Sequence, residues 1–150
     1  MSATEAIFDR LKEDHDRHRA LLDKLLATHG DSPERESLFE ELTKELKSHA
    51  AAEEQALYST MMRKPPTTDE TRHSVAEHHE IDELLETLEA TEYESPGWLA
   101  SAKKLQHLVT HHLDEEEQEV FQLAGRALGD SEKTSLAKTY RQEMESREAS

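Results

Sequence analysis

The chain has 150 residues and a formal charge of -16, because 34 acidic side chains outnumber 18 lysines and arginines. This charge repels nucleic acid and anionic membrane surfaces, so neither is an expected partner. Cysteine is absent, which excludes disulfides, thiolate zinc sites and iron–sulfur clusters and leaves histidine and carboxylate as candidate metal ligands. The sequence has neither a signal-peptide pattern nor a run of about eighteen apolar residues, so it predicts a cytoplasmic protein without a membrane span.

Apolar residues recur at steps of three and four in every long segment, and the alternation typical of strands is missing. The sequence therefore predicts an all-α fold. The first helix is expected to begin at Ser2 or Thr4 and to end near Gly30. The second begins at the Ser32-Pro33 cap and continues to about Met62.

Three further helices are predicted in the second half of the chain. The third begins after the capping candidates at 67–69, and the Ser-Pro-Gly sequence at 95–97 separates it from the fourth, which ends within 125–129. A shorter, more polar helix follows near 132–147. Its sparse apolar positions mark it as a flanking element: Leu136, Tyr140 and Met144.

The four long helices are joined by short connections, which favours an up-down-up-down antiparallel bundle. The predicted organisation is a four-helix bundle over residues 1–130, followed by a flanking helix and tail over 131–150. Ferritin-like di-iron bundles are the closest alternative architecture, but they use Glu-x-x-His pairs. In this chain the order is reversed and the spacing is four residues.

The sequence also repeats itself. A shift of 63 positions superposes residues 11–62 on 74–125 without a gap, and the Ser-Pro helix break recurs at the same place. The bundle is therefore predicted to consist of two helical hairpins of one design, related by a pseudo-twofold axis. The shift matches three pairs of candidate metal ligands: His15 with His78, His49 with His112, and Glu53 with Glu116.

A histidine followed four residues later by a glutamate places both side chains on one helix face. This spacing occurs five times: His49/Glu53, His73/Glu77, His79/Glu83, His111/Glu115 and His112/Glu116. Only the pairs at 49/53 and 112/116 map onto each other under the shift, so these are the predicted ligand pairs. The neighbouring glutamates are predicted to lie on a solvated face: Glu115, Glu117 and Glu119.

The matched histidines and glutamates interrupt otherwise apolar helix faces. Burying them without partners would cost several kcal/mol for each charged group. A metal pair removes this cost if each ion takes one histidine from each of two helices and both carboxylates bridge. Imidazole and carboxylate suit iron, manganese or zinc. The predicted metal ligands are His15, His49, Glu53, His78, His112 and Glu116.

At these positions the sequence resembles the hemerythrin-like (HHE cation-binding) proteins, over about residues 5–128. The resemblance rests on four motifs: DH at 14–15, HAAAEE at 49–54, EHHEIDELL at 77–85 and HHLDEEEQEVF at 111–121. It implies a non-haem centre of two iron ions with an oxo or hydroxo bridge, held by the same six residues.

Two departures from the oxygen-carrying hemerythrins stand out. Those proteins have a fifth histidine four residues before the one that matches His78, where this chain has Ser74. They also usually place an aspartate five residues after the last histidine, whereas Glu116 follows His112 by four. Both departures argue against reversible oxygen carriage.

Several residues around the six have more than one interpretation. His18 lies one turn beyond His15 and is a core residue, a proton shuttle, a hydrogen-bonding partner of a ligand or a fifth ligand. His79 is the other candidate fifth ligand, or a surface residue. Tyr58 and Phe121 are expected to fill the core and shield the metals, and the alanines at 50–52 to pack the helices or leave a passage. The remaining histidines are predicted on the surface: His29, His73, His107 and His111.

The resemblance implies that the centre binds or reacts with a small ligand such as hydrogen peroxide, oxygen or nitric oxide. Catalase-like disproportionation of peroxide, in oxidative or nitrosative stress defence, is the favoured reaction, because an open coordination position invites peroxide chemistry. The alternative is non-catalytic binding, storage or sensing of oxygen, nitric oxide or iron. A metal-free interaction module is the third class considered.

Overall fold

The computed structural model describes residues 6–148, and every regular element in that part of the chain is helical, which confirms the all-α prediction. The proposed first caps, Ser2 and Thr4, lie outside the described residues. Five long helices follow one another: α1 (Ala6–Leu26), α2 (Pro33–Glu53), α3 (Thr68–Glu89), α4 (Pro96–Glu115) and α5 (Asp130–Glu148). None of the helices within 6–148 is long and apolar enough to cross a bilayer.

The starts of α2 and α4 use the same Ser-Pro cap. The Ser32 hydroxyl accepts a hydrogen bond from the backbone N–H of Arg35 at 3.1 Å, and the Ser95 hydroxyl accepts one from Gly97 at 3.2 Å. In both helices proline occupies the first helical position, where a backbone donor is not needed. Before α2 the chain reverses at Gly30, whose φ of 57° lies in the left-handed region that glycine adopts without strain.

Helices α2 and α4 both widen into π-helical turns beside the predicted glutamate ligands. These turns span Glu54–Tyr58 and Glu116–Val120, and the chain then returns to α-helix in Ser59–Met61 and Phe121–Ala127. A π-turn inserts an extra residue into the helix and so changes the direction of the side chains that follow it. The residues beyond each glutamate therefore depart from the regular helical phase.

Two apolar clusters fill the bundle, and the predicted ligands lie between them along each helix. In α1, Leu11 belongs to one cluster and Leu21 to the other, with His15 and His18 between them. Each fully buried leucine contributes about 1.5–3 kcal/mol, and these contributions offset the cost of a polar interior between the clusters. Apolar packing above and below therefore holds the polar layer in place.

The helices close into a bundle in which α1 packs against α2 and α4, and α3 packs against α2 and α4. Helix α5 packs against α1, α2 and the π-turn after α2. Its Tyr140 and Met144 are fully buried, so this helix completes the second apolar cluster rather than merely flanking it. In α1 the structure buries Ile7 fully and Phe8 only partly.

Candidate metal centre

The structure brings all six predicted ligands together in the buried layer between the apolar clusters. Their ligand atoms form two groups, each with all atoms within 4.8 Å of one another: His15, His49, Glu53 and Glu116; and Glu53, His78, His112 and Glu116. Each group contains two imidazoles, and both groups contain the same two carboxylates. Two positions for an ion therefore lie side by side, with Glu53 and Glu116 available to both.

Each imidazole turns its Nε2 atom toward one of the two glutamates. The separations are His15 to Glu116 Oε1 3.2 Å, His112 to Glu116 Oε2 3.3 Å, His78 to Glu53 Oε1 3.4 Å and His49 to Glu53 Oε2 3.7 Å. Ligand atoms that share an ion at bond lengths of about 2.1 Å lie about 3.0–3.5 Å apart. The observed separations match this spacing or exceed it slightly.

Several of these atoms have no hydrogen-bond partner among the described residues. They are His15 Nε2, His49 Nε2, Glu116 Oε1 and both carboxylate oxygens of Glu53. A buried polar atom without a partner costs about 1–3 kcal/mol, and more when it is charged. Because these atoms converge on one region, a cation there would satisfy all of them. The donor set fits a pair of metal ions.

The opposite ring nitrogen of each histidine faces an outer partner. Nδ1 of His15 lies 2.7 Å from Glu117 Oε2, Nδ1 of His49 2.6 Å from the Tyr140 hydroxyl, Nδ1 of His112 2.8 Å from Glu77 Oε1, and Nδ1 of His78 3.8 Å from Glu54 Oε2. Metal-binding histidines commonly donate this second N–H to a carboxylate, which fixes the tautomer and points the Nε2 lone pair at the ion. The outer hydrogen bonds therefore orient the imidazoles of His15, His49 and His112 inward, whereas the separation at His78 is too long for a hydrogen bond.

The carboxylates among these outer partners follow the sequence repeat. The 63-residue shift pairs Glu54 with Glu117, and it pairs Asp14 with Glu77. The prediction that Glu117 lies on a solvated face is wrong: Glu117 is half-buried, and its Oε2 also accepts a hydrogen bond from Arg19 at 2.9 Å. The matched acidic pairs were the sequence signal that could have found these residues.

Tyr140 of α5 is a site residue that the sequence analysis placed only on a flanking helix. Its hydroxyl donates to Asp14 Oδ2 and lies beside Nδ1 of His49, so it stands between the two. The Asp14 carboxylate is 3.7 Å from His49. Burial opposes ionisation of Asp14, but the neighbouring His49 and Tyr140 lower its pKa to about 2, so it stays charged.

Two aromatic rings cover the histidines of the two halves at equivalent positions. Tyr58 stacks on His78 with centroids 5.5 Å apart, and Phe121 stacks on His15 at 5.8 Å. The Tyr58 hydroxyl donates a hydrogen bond to Glu116 Oε2. Tyr58 therefore orients a predicted ligand, beyond the core-filling role expected from the sequence.

His18 is fully buried beside the predicted ligands but belongs to neither group of four. Its ring makes an edge contact with His49 at 5.0 Å, and its Nε2 lies 3.7 Å from Glu45 Oε2. A cavity of about 20 Å³ adjoins the site, and its lining includes His18, His49, His78, His112 and Ala50. Its volume corresponds to about one water molecule.

The structure places the other histidines on the surface, as predicted. The candidate fifth ligand His79 is exposed, as are His29, His73, His107 and His111. Ser74, where oxygen carriers have their additional histidine, is buried and interacts with Tyr58.

Burial and mutual repulsion set the charges of the metal-free site. Burial and the facing Glu116 raise the pKa of Glu53 well above its usual range. Burial opposes ionisation of Glu116 as well, but Glu53, His112 and His15 hold its pKa well below its usual range. Although burial disfavours the charged imidazoles, Glu116 and the outer carboxylates raise the pKa of both His15 and His112 to about 9. An incoming ion must therefore displace protons.

Comparison with known proteins agrees with this geometry. A family model described as the Hemerythrin HHE cation binding domain matches residues 6–124. Among solved structures, a Hemerythrin HHE cation binding domain-containing protein from Mycobacterium kansasii matches with a TM-score of 0.84 and 26% identity, over 99% of this chain and 88% of that chain. No match was found among curated proteins. The chain belongs to the hemerythrin HHE cation-binding domain family.

Proposed function

We propose that this protein holds two iron ions between its four long helices and uses them to disproportionate hydrogen peroxide. One observation carries the metal assignment: two groups of four buried ligand atoms share Glu53 and Glu116. The ligands would be His15, His49, Glu53, His78, His112 and Glu116. Iron is favoured by the resemblance to hemerythrins, and manganese or zinc would also suit the imidazole and carboxylate donors.

The proposal includes an up-down-up-down order of the four long helices and an origin in two repeated hairpins. It is supported by the equivalent Ser-Pro caps, by the π-turns beside both glutamates and by the matched outer carboxylates. Each hairpin contributes two histidines and one glutamate. A duplicated hairpin explains why both ion positions have the same donors.

The cavity beside the site supports a small ligand. At about 20 Å³, the volume of about one water molecule, it favours ligands of only one or two heavy atoms, such as peroxide, oxygen or nitric oxide, over organic substrates. Ala50 lines it, in agreement with the expectation that the small side chains of α2 leave a passage. When bound, the iron pair would supply electrons and an open coordination position for such a ligand.

The protein side chains would then handle protons and exclude water. Disproportionation of two peroxide molecules gives two waters and one oxygen, and it requires protons to move from one peroxide to the other. His18 lines the cavity, and its Nε2 faces Glu45 at 3.7 Å, so it can hold a proton within reach of the ligand. Tyr58 orients Glu116 by its hydrogen bond, and the rings of Tyr58 and Phe121 shield the histidines from water.

Non-catalytic binding, storage or sensing of oxygen, nitric oxide or iron is the second candidate. One observation favours it: the cavity accommodates a single small ligand, as a sensor or store requires, whereas disproportionation must process two peroxide molecules in turn. The cytoplasmic setting and the role in stress defence remain predictions from the sequence.

The test uses purified full-length protein reconstituted with ferrous ion. Iron per chain is measured first, and oxygen release is then followed after addition of peroxide. The proposal expects two irons per chain and prompt oxygen release, with retention of both irons but slower release in His18→Asn. His79→Ala, a substitution of an exposed histidine, is the matched control and should behave as wild type. Two irons without oxygen release would favour the binding function, and a protein that takes up no metal would contradict both candidates.

A further inference from the structure

Two of the remaining His-x-x-x-Glu pairs face each other on the outside of the bundle. His73 and Glu77 lie on α3, and His111 and Glu115 lie on the neighbouring helix α4. None of these four residues is among the six predicted ligands of the buried centre. The 63-residue shift does not match the two pairs to each other, so neither pair was predicted to hold the buried ions.

The ligand atoms of this group are separated by distances typical of a shared ion. His73 Nε2 lies 2.8 Å from Glu115 Oε1 and 3.4 Å from Glu77 Oε2, and His111 Nε2 lies 3.0 Å from Glu115 Oε2 and 3.9 Å from Glu77 Oε2. A tetrahedral ion with bonds of about 2.1 Å holds its ligand atoms about 3.4 Å apart. The ligand atoms of His73, Glu77 and Glu115 already lie within 4.8 Å of one another, and His111 would join them by a movement of its exposed side chain.

We propose that His73, Glu77, His111 and Glu115 form a second metal site, which binds one divalent transition-metal ion at the surface. Two imidazoles and two carboxylates make a four-coordinate set that suits zinc, ferrous or manganous ion. The site is separate from the buried pair and does not depend on which metal or ligand the buried pair takes.

The two imidazoles of the surface site are exposed to solvent, whereas its two carboxylates are largely buried, as an accessible but ordered metal site requires. The imidazoles of His73 and His111 are 51% and 61% exposed, so an ion can reach them from solvent. The carboxylates of Glu77 and Glu115 are only 8% and 19% exposed, so they are held in place by packing. Fixed carboxylates beneath accessible imidazoles lose little side-chain entropy when an ion binds.

Glu77 is oriented by the buried centre. Its Oε1 accepts the hydrogen bond from His112 Nδ1 at 2.8 Å, which leaves Oε2 to face His73 and His111. One carboxylate therefore contacts both the outer side of the buried centre and the surface site. The carboxylates of Glu70 and Glu119 lie next to Glu115 and make the local potential more negative, which further favours a cation.

The experiment is a titration of metal-free, full-length protein with Co²⁺, whose visible absorption reports the number and kind of ligands. Wild type is compared with the double variant His73→Ala/His111→Ala. The matched control is His79→Ala, which removes an exposed histidine with the same spacing to a glutamate on the same helix, α3. We expect wild type and the control to bind three Co²⁺ per chain and the double variant to bind two. Side-chain nitrogen NMR should also show shifts of His73 and His111 as the third ion binds.

The outcomes separate this site from the buried pair. If wild type and the double variant both bind two ions with the same spectra, the surface site is refuted and the buried pair stands. If wild type binds one ion that the double variant lacks, the surface site stands and the buried pair fails. Both substituted side chains are exposed, so the variant should fold, and circular dichroism checks this.

Discussion

The two halves of the buried centre have the same candidate ligands but different surroundings. One half contains His15 and His49, the other contains His78 and His112, and each imidazole turns Nε2 inward. Both halves use carboxylates at repeat-equivalent positions outside the histidines. The inner donors and the outer carboxylates therefore follow the repeat.

The differences lie in single side chains around the ligands. The hydroxyl of Tyr140 enters between Asp14 and His49 in the first half only. The second half has the Tyr58 hydroxyl on Glu116, whereas the equivalent ring in the first half is Phe121, which has no hydroxyl. The comparison teaches that side chains matched by the 63-residue shift can form a symmetrical set of candidate ligands while single neighbouring side chains make the two halves chemically distinct.

Glu53 and Glu116 offer the strongest way to break this comparison, because both groups of candidate ligand atoms contain them. Glu53→Gln and Glu116→Gln should each lower the iron content from two ions to nearly none. In metal-free protein the two variants should differ in their free energy of unfolding. Because burial and the facing Glu116 raise the pKa of Glu53 and so favour its neutral form, its amide replacement should leave the free energy of unfolding almost unchanged. Loss of the Glu116 charge breaks buried contacts with charged histidines and should cost about 3 kcal/mol.

Metal analysis and thermal unfolding in the presence of a chelator measure these two effects. The isosteric replacement Gln118→Glu serves as a control for charge changes near the site, because Gln118 is exposed on the same π-turn as Glu116. Retention of one tightly bound iron in Glu53→Gln would show that the carboxylate serves only one half.

The sequence could predict that these six side chains come together because each half supports the other. His49/Glu53 was one of five equally spaced pairs, and only its match with His112/Glu116 distinguished it. The same shift could have identified Glu117, since Glu54 matches it, but a regular helical phase places Glu117 away from the interior. The π-turn at Glu116–Val120 changes that phase, and the sequence carries no visible signal for the turn.

Tyr140 could not be predicted for a different reason. It lies in α5, which has no counterpart in the repeat, and the spacing of Leu136, Tyr140 and Met144 marks an apolar face without showing which part of the bundle that face meets. Its burial depends on contacts of α5 with α1 and α2, which are distant in the sequence. Tertiary packing alone brings its hydroxyl to the site.

The pH dependence of metal binding tests whether the two halves of the buried centre must release the same number of protons before an ion binds. Each half has one imidazole whose pKa is raised to about 9, His15 in the first half and His112 in the second. Both must lose a proton before an ion binds, so below pH 9 the apparent affinity should fall about 100-fold for each unit of acidification. The protonated Glu53 makes the fall steeper.

The stability of the metal-free protein should change in the opposite direction. A folded pKa of about 9, above the usual imidazole pKa of 6.5, gives stability that is fully present below pH 6.5 and is lost as the pH rises through 9. Calorimetry in buffers of different ionisation enthalpy counts the protons released on metal binding. Release of fewer than two protons at pH 7 would contradict the assigned charges.

The Tyr58 hydroxyl can be removed to make the two halves alike. Tyr58→Phe eliminates the donor to the buried Glu116 and should lower the free energy of unfolding of the metal-free protein by about 1.5–3 kcal/mol, the value of a hydrogen bond to a charged group. Phe121→Tyr is the reciprocal change at the repeat-equivalent position, where no such bond is lost. Chemical denaturation measures both variants, and equal losses would show that ring packing, and not the hydroxyl, stabilises the site.

The Tyr140 hydroxyl tests the first half alone, and its removal should have the smallest effect. In Tyr140→Phe the ring still fills its place in the core, but His49 loses the partner that holds Nδ1, and Asp14 is too far away at 3.7 Å to replace it. Loss of an outer partner of a metal-binding histidine costs about 10–100-fold in affinity. A chelator should therefore remove one of the two ions from this variant well before the other, whereas wild type should lose both together. Met144→Leu, on the same buried face of α5, controls for changes in packing. Equal loss of both ions in Tyr140→Phe would mean that the bridging carboxylates couple the halves so tightly that the asymmetry of their surroundings has no thermodynamic consequence.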